Sequence, residues 1–164
     1  MLDLAIAKSE RGFYYEERAK YYRREEDFKK ALIDINKADE LYPQSVRILT
    51  TKVELLIDMN KYKDALALVN EALEYNKLDS RLLRNKGKIL FELDKINLSI
   101  KAYQKSLIYN PNSTGSNFSL GAIFYRKKDY PLAAKYFKTS YQNDPTDMND
   151  LYYLNLSYWF SRDC

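Results

Sequence analysis

The sequence predicts an all-α protein built from repeated pairs of helices, and three observations lead to this prediction. The same pattern of small, apolar and turn-forming residues repeats along the chain at a constant interval and without a gap, in units that start at Gly12, Val46, Ser80 and Thr114. Within each interval, apolar residues recur at three- and four-residue spacing, which is typical of helices that bury one face. Short polar segments with Asp, Asn or Pro separate these stretches. We therefore expect helix-turn-helix units that stack on one another.

Four intervals fit this period, and the two ends of the chain are less regular. The predicted units are residues 12–45, 46–79, 80–113 and 114–147. Residues 1–11 are expected either to extend the first helix or to form an N-terminal cap. Residues 148–164 are expected to form a C-terminal helix, which is half a repeat or a cap. We expect all of these segments to belong to one domain.

Small residues occupy two positions of the second helix in every unit. Unit positions 20 and 27 are held by Ala31, Ala65, Ser99 and Ala133, and by Ala38, Ala72, Ser106 and Ser140. Two helices cross closely only where the side chains between them are small. We therefore expect these eight residues to mark the contacts between paired helices. Asp27 and Asp129 precede two of the second helices and are predicted N-caps.

The fourth unit shows the most complete pattern, with Leu120, Gly121, Phe124, Ala133, Phe137 and Pro145. This arrangement resembles the tetratricopeptide repeat (TPR), a helix-turn-helix unit of about 34 residues. The resemblance implies a right-handed superhelical solenoid of four TPR units plus the C-terminal helix, and a protein that binds a partner. A pentatricopeptide array, which reads RNA one base per repeat, fits the constant interval of this chain less well.

Two departures from the family pattern carry expectations about packing. The second unit has Val53 where a smaller residue is usual and Lys77 where proline closes the helix, so we expect looser packing or a less sharp turn there. Position 7, usually leucine, is leucine only in the fourth unit and reads Arg18, Lys52, Lys86 and Leu120.

Composition removes the raw material for most catalysis. The chain has no histidine, and its one cysteine is Cys164, so neither a Cys/His metal site nor a His-assisted nucleophile can be assembled. We expect no enzyme activity, no metal and no cofactor. Charges at Asp3 and Lys8 interrupt any apolar signal core, and no membrane span is expected. This favours a cytoplasmic protein, although a trimmed secretion signal would leave the same sequence.

The resemblance also implies that the first helix of each unit lines a groove through unit positions 2, 5, 6, 9, 12 and 13. In the first two units these positions are Phe13, Glu16, Glu17, Lys20, Arg23 and Arg24, then Arg47, Thr50, Thr51, Glu54, Ile57 and Asp58. The residues expected to bind a peptide are Arg47, Arg81, Arg84, Asn85, Lys88, Phe118, Tyr125, Arg126, Tyr152 and Tyr153.

Charge is uneven along the chain. The third unit has a balance of +5, and the first and second units are each at −1, so most of the net charge of +4 is local. A basic strip followed by aromatic residues suits an acidic or C-terminal peptide, because guanidinium groups pair with carboxylates and rings provide apolar anchors. The alternative interpretation is an ordinary solvated helix face.

Three functions agree with this pattern. The first is a protein-interaction scaffold or adaptor that holds a partner peptide in the groove. The second is self-assembly through the aromatic C-terminal helix, with Tyr152, Trp159 and Phe160 at the contact. The third is nucleic-acid binding. It is disfavoured because the first two units are net acidic and the positive charge covers only a short stretch of the chain. Some members of the family hold a partner's terminal carboxylate in a two-carboxylate clamp formed by three successive repeats. We do not expect this clamp here, because only Arg81 matches when the clamp is placed on the first three units and only Asn85 matches when it is placed one unit later.

Overall fold

The structure is a computed structural model that describes residues 2–161, with side chains from residue 11 onward. Every regular element within these ranges is an α-helix. The helices are α1 (Leu2–Arg24), α2 (Phe28–Leu41), α3 (Val46–Asp58), α4 (Tyr62–Tyr75), α5 (Ser80–Glu92), α6 (Ile96–Tyr109), α7 (Thr114–Arg126), α8 (Tyr130–Asn143) and α9 (Met148–Ser161). The predicted all-α helical-repeat fold is confirmed.

Helix starts follow the period of the sequence. The helices α3, α5, α7 and α9 begin at Val46, Ser80, Thr114 and Met148, and α2, α4, α6 and α8 begin at Phe28, Tyr62, Ile96 and Tyr130. Both series advance by one sequence period at every step. Helix α1 begins at Leu2, so the backbone of the predicted N-terminal extension continues the first helix. Cys164 lies outside the described residues.

Each turn inside a repeat uses the same backbone geometry. The residues in the left-handed region are Glu26 (φ 57°), Asn60 (φ 58°), Asp94 (φ 55°) and Lys128 (φ 62°), which occupy the same position in successive repeats. In the last of these turns the Asp129 N–H donates to the Phe124 carbonyl at 2.9 Å and the Lys128 N–H donates to the Tyr125 carbonyl at 3.0 Å. This bond pair is the Schellman motif that ends a helix.

Aspartate caps open two of the second helices. The Asp27 side chain accepts from the Lys30 N–H, and the Asp129 side chain accepts from the Leu132 N–H. Each cap satisfies one of the donors that a helix start leaves free. Both predicted N-caps are confirmed.

The chain divides into two compact units, each with its own core. Unit 1 (Met1–Lys77) contains α1 to α4, and unit 2 (Leu78–Cys164) contains α5 to α9. From here on, unit 1 and unit 2 denote these two compact units, each of which contains more than one sequence repeat. The core of unit 1 is built from Ala19, Ala31, Ile35, Ala38, Ile48 and Leu55. The core of unit 2 is built from Tyr103, Leu120 and Ile123, and from Ala133, Ala134, Phe137 and Leu154.

The small residues at positions 20 and 27 are all fully buried, as the sequence predicts. Where alanine is replaced by serine, the hydroxyl bonds to the backbone of the paired helix. Ser99 Oγ donates to the Gly87 carbonyl at 2.7 Å, and Ser106 Oγ donates to the Ser80 carbonyl at 2.8 Å. These serines therefore bury a polar group without leaving it unpaired.

Residues at the helix crossings have complementary sizes. The ring of Tyr103 lies against Gly87, whereas the equivalent pair in the second repeat is Val53 with Val69, both buried. A valine on each side holds the two backbones apart. Accordingly, α3 and α4 lie less closely together than the paired helices of the other repeats, which agrees with the first of the two expectations for this repeat.

Arg18 takes the place of the family leucine and makes a bidentate ion pair. Its Nη2 donates to Asp34 Oδ1 at 2.7 Å, and its Nε bonds the other carboxylate oxygen. The Asp34 carboxylate is almost fully buried, with 3% of its side chain exposed. The paired helices α1 and α2 are thus joined by a charged pair, whereas the fourth repeat has the buried Leu120 at the same position.

Candidate functional site

In unit 1, the side chains at the predicted groove positions of α1 and α3 bind one another. Glu16 is buried and forms the centre of this network. Its carboxylate lies 2.6 Å from Lys20 Nζ and 2.6 Å from Arg47 Nε. Thr51 Oγ1 donates to the same carboxylate at 3.4 Å, and Arg47 Nη2 reaches Glu17 at 2.8 Å.

A second cluster on the same face joins the ends of these helices. Arg23 Nη1 donates to Glu54 Oε2 and Arg23 Nε to Asp58 Oδ2, both at 2.6 Å. The predicted groove positions of α1 and α3 hold four cations and four carboxylates, which cancel. This face is therefore neutralised within the protein itself.

Arg47, which the sequence places in the groove, is committed to this network. Its hydrogen bond to Glu16 is the main cause of the raised pKa of Arg47, and the hydrogen bond from Lys20 lowers the pKa of Glu17. The Arg47 guanidinium also lies 4.6 Å from the centre of the Phe13 ring. These partners already occupy the hydrogen-bonding groups of the guanidinium that a ligand carboxylate would use.

The other nine predicted site residues lie in unit 2, and three of them form a basic row on α5: Arg81, Arg84 and Lys88. Arg81 keeps 54% of its side chain exposed, and its one ion pair within the described part of the chain is with Asp79, the N-cap residue of α5, at 3.3 Å. Arg84 is half-buried beside Gly115 of α7, whose added Cβ would lie 3.3 Å from the Arg84 Cδ. Lys88 is exposed and has no carboxylate partner among the described residues.

Asn85 lies within the basic row and is buried, with 4% of the residue exposed. Its Nδ2 has no hydrogen-bond partner among the described residues. Asn85 occupies the unit position of Thr51, whose hydroxyl bonds across to the neighbouring first helix in unit 1. A buried donor without an acceptor costs about 1–3 kcal/mol, so this amide is a candidate for binding a ligand acceptor.

The predicted aromatic residues come together between α7, α8 and α9. Phe118, Tyr125 and Tyr153 form an aromatic cluster, with ring centres of Tyr153 6.0 Å from Phe118 and 5.8 Å from Tyr125. Tyr153 also stacks on Phe137 at 5.4 Å, which places it in the packing of the fourth repeat. The three rings stay half-buried, so each keeps a surface that a ligand can contact.

On the last helix, part of the aromatic surface folds back and part remains exposed. Phe160 stacks on Tyr130 with ring centres 5.1 Å apart. Tyr152 and Trp159 are 59% and 60% exposed. These two therefore present large rings to a partner, whereas Phe160 does not.

The charge balance at the groove positions of α5 and α7 differs from that of unit 1. Four cations, including Arg126, stand against one carboxylate, Glu92. Burial raises the pKa of Tyr103, so this phenol adds no negative charge near neutral pH. The face of α5 and α7 is therefore basic.

A pocket of about 220 Å³ opens where α5 and α7 end. It is lined by Phe91, Asp94, Ile96, Ile123, Arg126 and Lys127. The Arg126 guanidinium lies 5.4 Å from the centre of the Phe91 ring. Of these residues only Arg126 is among the predicted site residues. The pocket combines two segments that are distant in the sequence, residues 91–96 and 123–127, so the sequence pattern does not show that they meet.

The described residues include no helix that is long and apolar enough to cross a membrane. No group of three or more potential metal-binding side chains occurs within that part of the chain.

Comparison with solved structures shows the same fold in several proteins. The structure of pilF from Pseudomonas aeruginosa matches with a TM-score of 0.84 and 18% identity, covering 96% of this chain and 72% of that one. A MamA protein matches with a TM-score of 0.72 and 17% identity, over 93% and 84%. YrrB, described as a TPR protein with an unusual peptide-binding site, matches with a TM-score of 0.65 and 20% identity, over 90% and 76%.

No curated protein sequence matches this chain significantly. The tetratricopeptide repeat family, in contrast, matches residues 50–107 and 92–147, which together span more than half of the chain. Proteins with this fold act in general as scaffolds for protein interactions. The repeated helix pairs, the crossing residues and this match identify the chain as a member of the tetratricopeptide repeat family.

Proposed function

We propose that the face formed by α5, α7 and α9 binds an acidic peptide segment of a partner protein. The observation that carries this proposal is the unequal charge balance. The groove positions of α5 and α7 have four cations and one carboxylate, whereas the same positions in unit 1 pair with one another. A carboxylate from outside the chain can pair with the exposed cations of this face, Arg81 and Lys88.

The basic row can bind such a carboxylate directly. Arg81 has a single weak ion pair at 3.3 Å, and more than half of its side chain is exposed. Guanidinium groups form two parallel hydrogen bonds with a carboxylate, which adds geometric specificity to the charge attraction. Lys88 adds a point charge one helical turn from Arg84.

Asn85 and the aromatic cluster give the face features that a merely solvated surface lacks. An acceptor that reaches the Asn85 Nδ2 removes the cost of an unpaired buried donor. A backbone carbonyl of an extended peptide is such an acceptor. Phe118, Tyr125 and Tyr153 offer apolar ring surface on α7 and α9. Aromatic residues of this kind often dominate the energy of an interface.

Selection from a displayed library of short peptides tests the proposal. We expect the wild-type chain to select peptides enriched in Asp and Glu, and the double variant Arg81→Glu/Arg84→Glu to lose at least about tenfold in affinity for them. The matched control is Lys101→Glu/Lys105→Glu, which makes the same charge change at exposed positions of α6 in the same unit. Circular dichroism checks that all variants stay helical.

Equal losses in both double variants would show diffuse attraction to a basic unit and would contradict a site on α5. A third variant, Asn85→Leu, separates binding from folding. It replaces the unpaired amide by an apolar group of similar size, so we expect unchanged or greater stability together with weaker peptide binding. Unchanged binding would exclude Asn85 from the site.

Self-association is the second candidate, and the exposure of Tyr152 and Trp159 supports it. Exposed aromatic patches are often interfaces. Phe160 is less suited to this role because its ring already stacks on Tyr130. Sedimentation equilibrium tests the idea: a wild-type dimer that becomes monomeric in Tyr152→Ser/Trp159→Ser would support it. A monomeric wild-type chain at high concentration would exclude it.

A further inference from the structure

We propose that the pocket at the ends of α5 and α7 binds the C-terminal residue of the partner peptide. The apolar side chain of that residue enters between Phe91, Ile96 and Ile123, and its terminal carboxylate pairs with Arg126 and Lys127. The inference rests on the proposed function and deepens it, since it fixes which end of a peptide the site recognises.

The size of the pocket limits the occupant to a single side chain. Its volume is about 220 Å³, whereas pockets for drug-sized molecules span roughly 300–1,000 Å³. Ile123 is buried, Phe91 and Ile96 are half-buried, and these three side chains form the apolar part of the pocket wall. A leucine or phenylalanine side chain is an occupant of suitable chemistry.

The rim of the pocket is charged in a pattern that fits a chain terminus. Arg126 and Lys127 provide two cations, and Asp94 provides one acceptor. A C-terminal residue presents an apolar side chain, a terminal carboxylate and a backbone N–H within a few ångströms of one another. The two cations suit the carboxylate, and Asp94 can accept from the N–H. The Phe91 ring supports the Arg126 guanidinium from below.

The position of the pocket also predicts how far the favoured acidic residue of the peptide lies from its C-terminus. Arg81 is the second residue of α5, and Phe91 is the twelfth. At about 1.5 Å per residue the two are roughly 15 Å apart along the helix. An extended peptide advances about 3.3 Å per residue, so this distance corresponds to roughly four or five peptide residues. We expect the favoured acidic residue at that distance before the C-terminus.

The experiment uses N-acetyl-phenylalanine as the probe and its C-terminal amide as the comparison. Binding is followed through the NMR signals of the Ile96 and Ile123 methyl groups in the full chain. We expect saturable shifts with the free acid at a Kd of roughly 1 mM, and binding of the amide at least about tenfold weaker. Free phenylalanine is the third ligand and distinguishes a peptide terminus from a free amino acid.

Two neighbouring lysines provide matched charge variants. Lys127 lines the pocket, whereas Lys128 is also exposed but does not. We expect Lys127→Glu to abolish the shifts and Lys128→Glu to leave them unchanged.

Three outcomes would overturn the inference: no saturable shift up to about 20 mM probe, equal binding of acid and amide, or tighter binding of free phenylalanine than of its N-acetyl form. Failure of the proposed function has a different signature. In that case the library selection shows no preference for acidic residues, while probe binding to the pocket is retained.

Discussion

The ring of Phe137 packs directly on Gly121, so closely that a Cβ atom on Gly121 would lie 2.8 Å from two of its carbons. Both residues are fully or nearly fully buried, and the ring has packed neighbours in Phe118 and Tyr153. The close approach of α7 and α8 therefore depends on the absence of a side chain at Gly121.

We expect Gly121→Ala to destabilise the protein. Alanine is favoured over glycine in a helix by about 1 kcal/mol. Overpacking against a fixed ring costs about 1–3 kcal/mol and therefore outweighs this gain. Urea unfolding measures the difference. The control is Gly115→Ala in the same helix, where the new Cβ meets only the flexible Arg84 side chain at 3.3 Å and we expect little loss. Equal stability of Gly121→Ala and the wild type would contradict this packing.

A second prediction concerns the ion pair of Arg18 and Asp34. Arg18→Leu introduces the family's usual residue but leaves the Asp34 carboxylate buried without its cation, so we expect a clear loss of stability. The double variant Arg18→Leu/Asp34→Leu removes both charges, and much of the lost stability should return. Thermal and urea unfolding of the four proteins in this cycle measure the coupling. Additive losses would show that the two side chains do not depend on each other.

The repeat boundaries and helix starts were predictable because local sequence patterns specify them. Small residues such as Ala31 and Ser99 must lie at crossings, and Asp27 and Asp129 must cap helices, so the sequence alone marks helix starts and contacts. The role of Arg18 was not predictable in this way. A pattern identifies a position that departs from the family but does not identify the residue that faces it.

The predicted binding site shows the same limit. Arg47 and Arg81 occupy equal unit positions and are indistinguishable by pattern. Arg47 binds Glu16, a residue 31 positions away, whereas Arg81 keeps most of its surface exposed. The pocket residues Asp94 and Lys127 belong to turns and lie outside the groove positions that the resemblance implies. Such long-range and turn contacts can be identified only from the folded structure.

A third prediction uses the turns inside the repeats. Lys128 adopts a φ of 62°, a left-handed conformation that strains residues with a side chain, whereas asparagine tolerates it better. We expect Lys128→Gly to raise the free energy of unfolding by up to about 1 kcal/mol. The comparison is Asn60→Gly at the equivalent turn, with φ 58°, where the gain should be smaller. Differential scanning calorimetry measures both. Destabilisation by Lys128→Gly would mean that the lysine side chain makes a contribution of its own.

A fourth prediction concerns pH and rests on Asp150. This carboxyl is 1% exposed, and one of its oxygens has no hydrogen-bond partner among the described residues. Burial raises the pKa of Asp150, and the negative charges of Asp147 and Asp144 raise it further. Because the folded-state pKa lies above the unfolded-state value, the contribution of this group is fully present below about pH 4 and is lost as pH rises through the folded-state pKa.

The variant Asp150→Asn cannot ionise, so its stability relative to the wild type should depend on pH. We expect nearly equal stabilities at about pH 3 and an advantage for the variant that grows as the pH rises to 7. Urea unfolding across this range gives the difference. Glu17, Asp27 and Asp144 have lowered pKa values and act in the opposite direction, but they are common to both proteins and cancel. A difference that stays constant from acid to neutral pH would show that Asp150 does not change its protonation on folding.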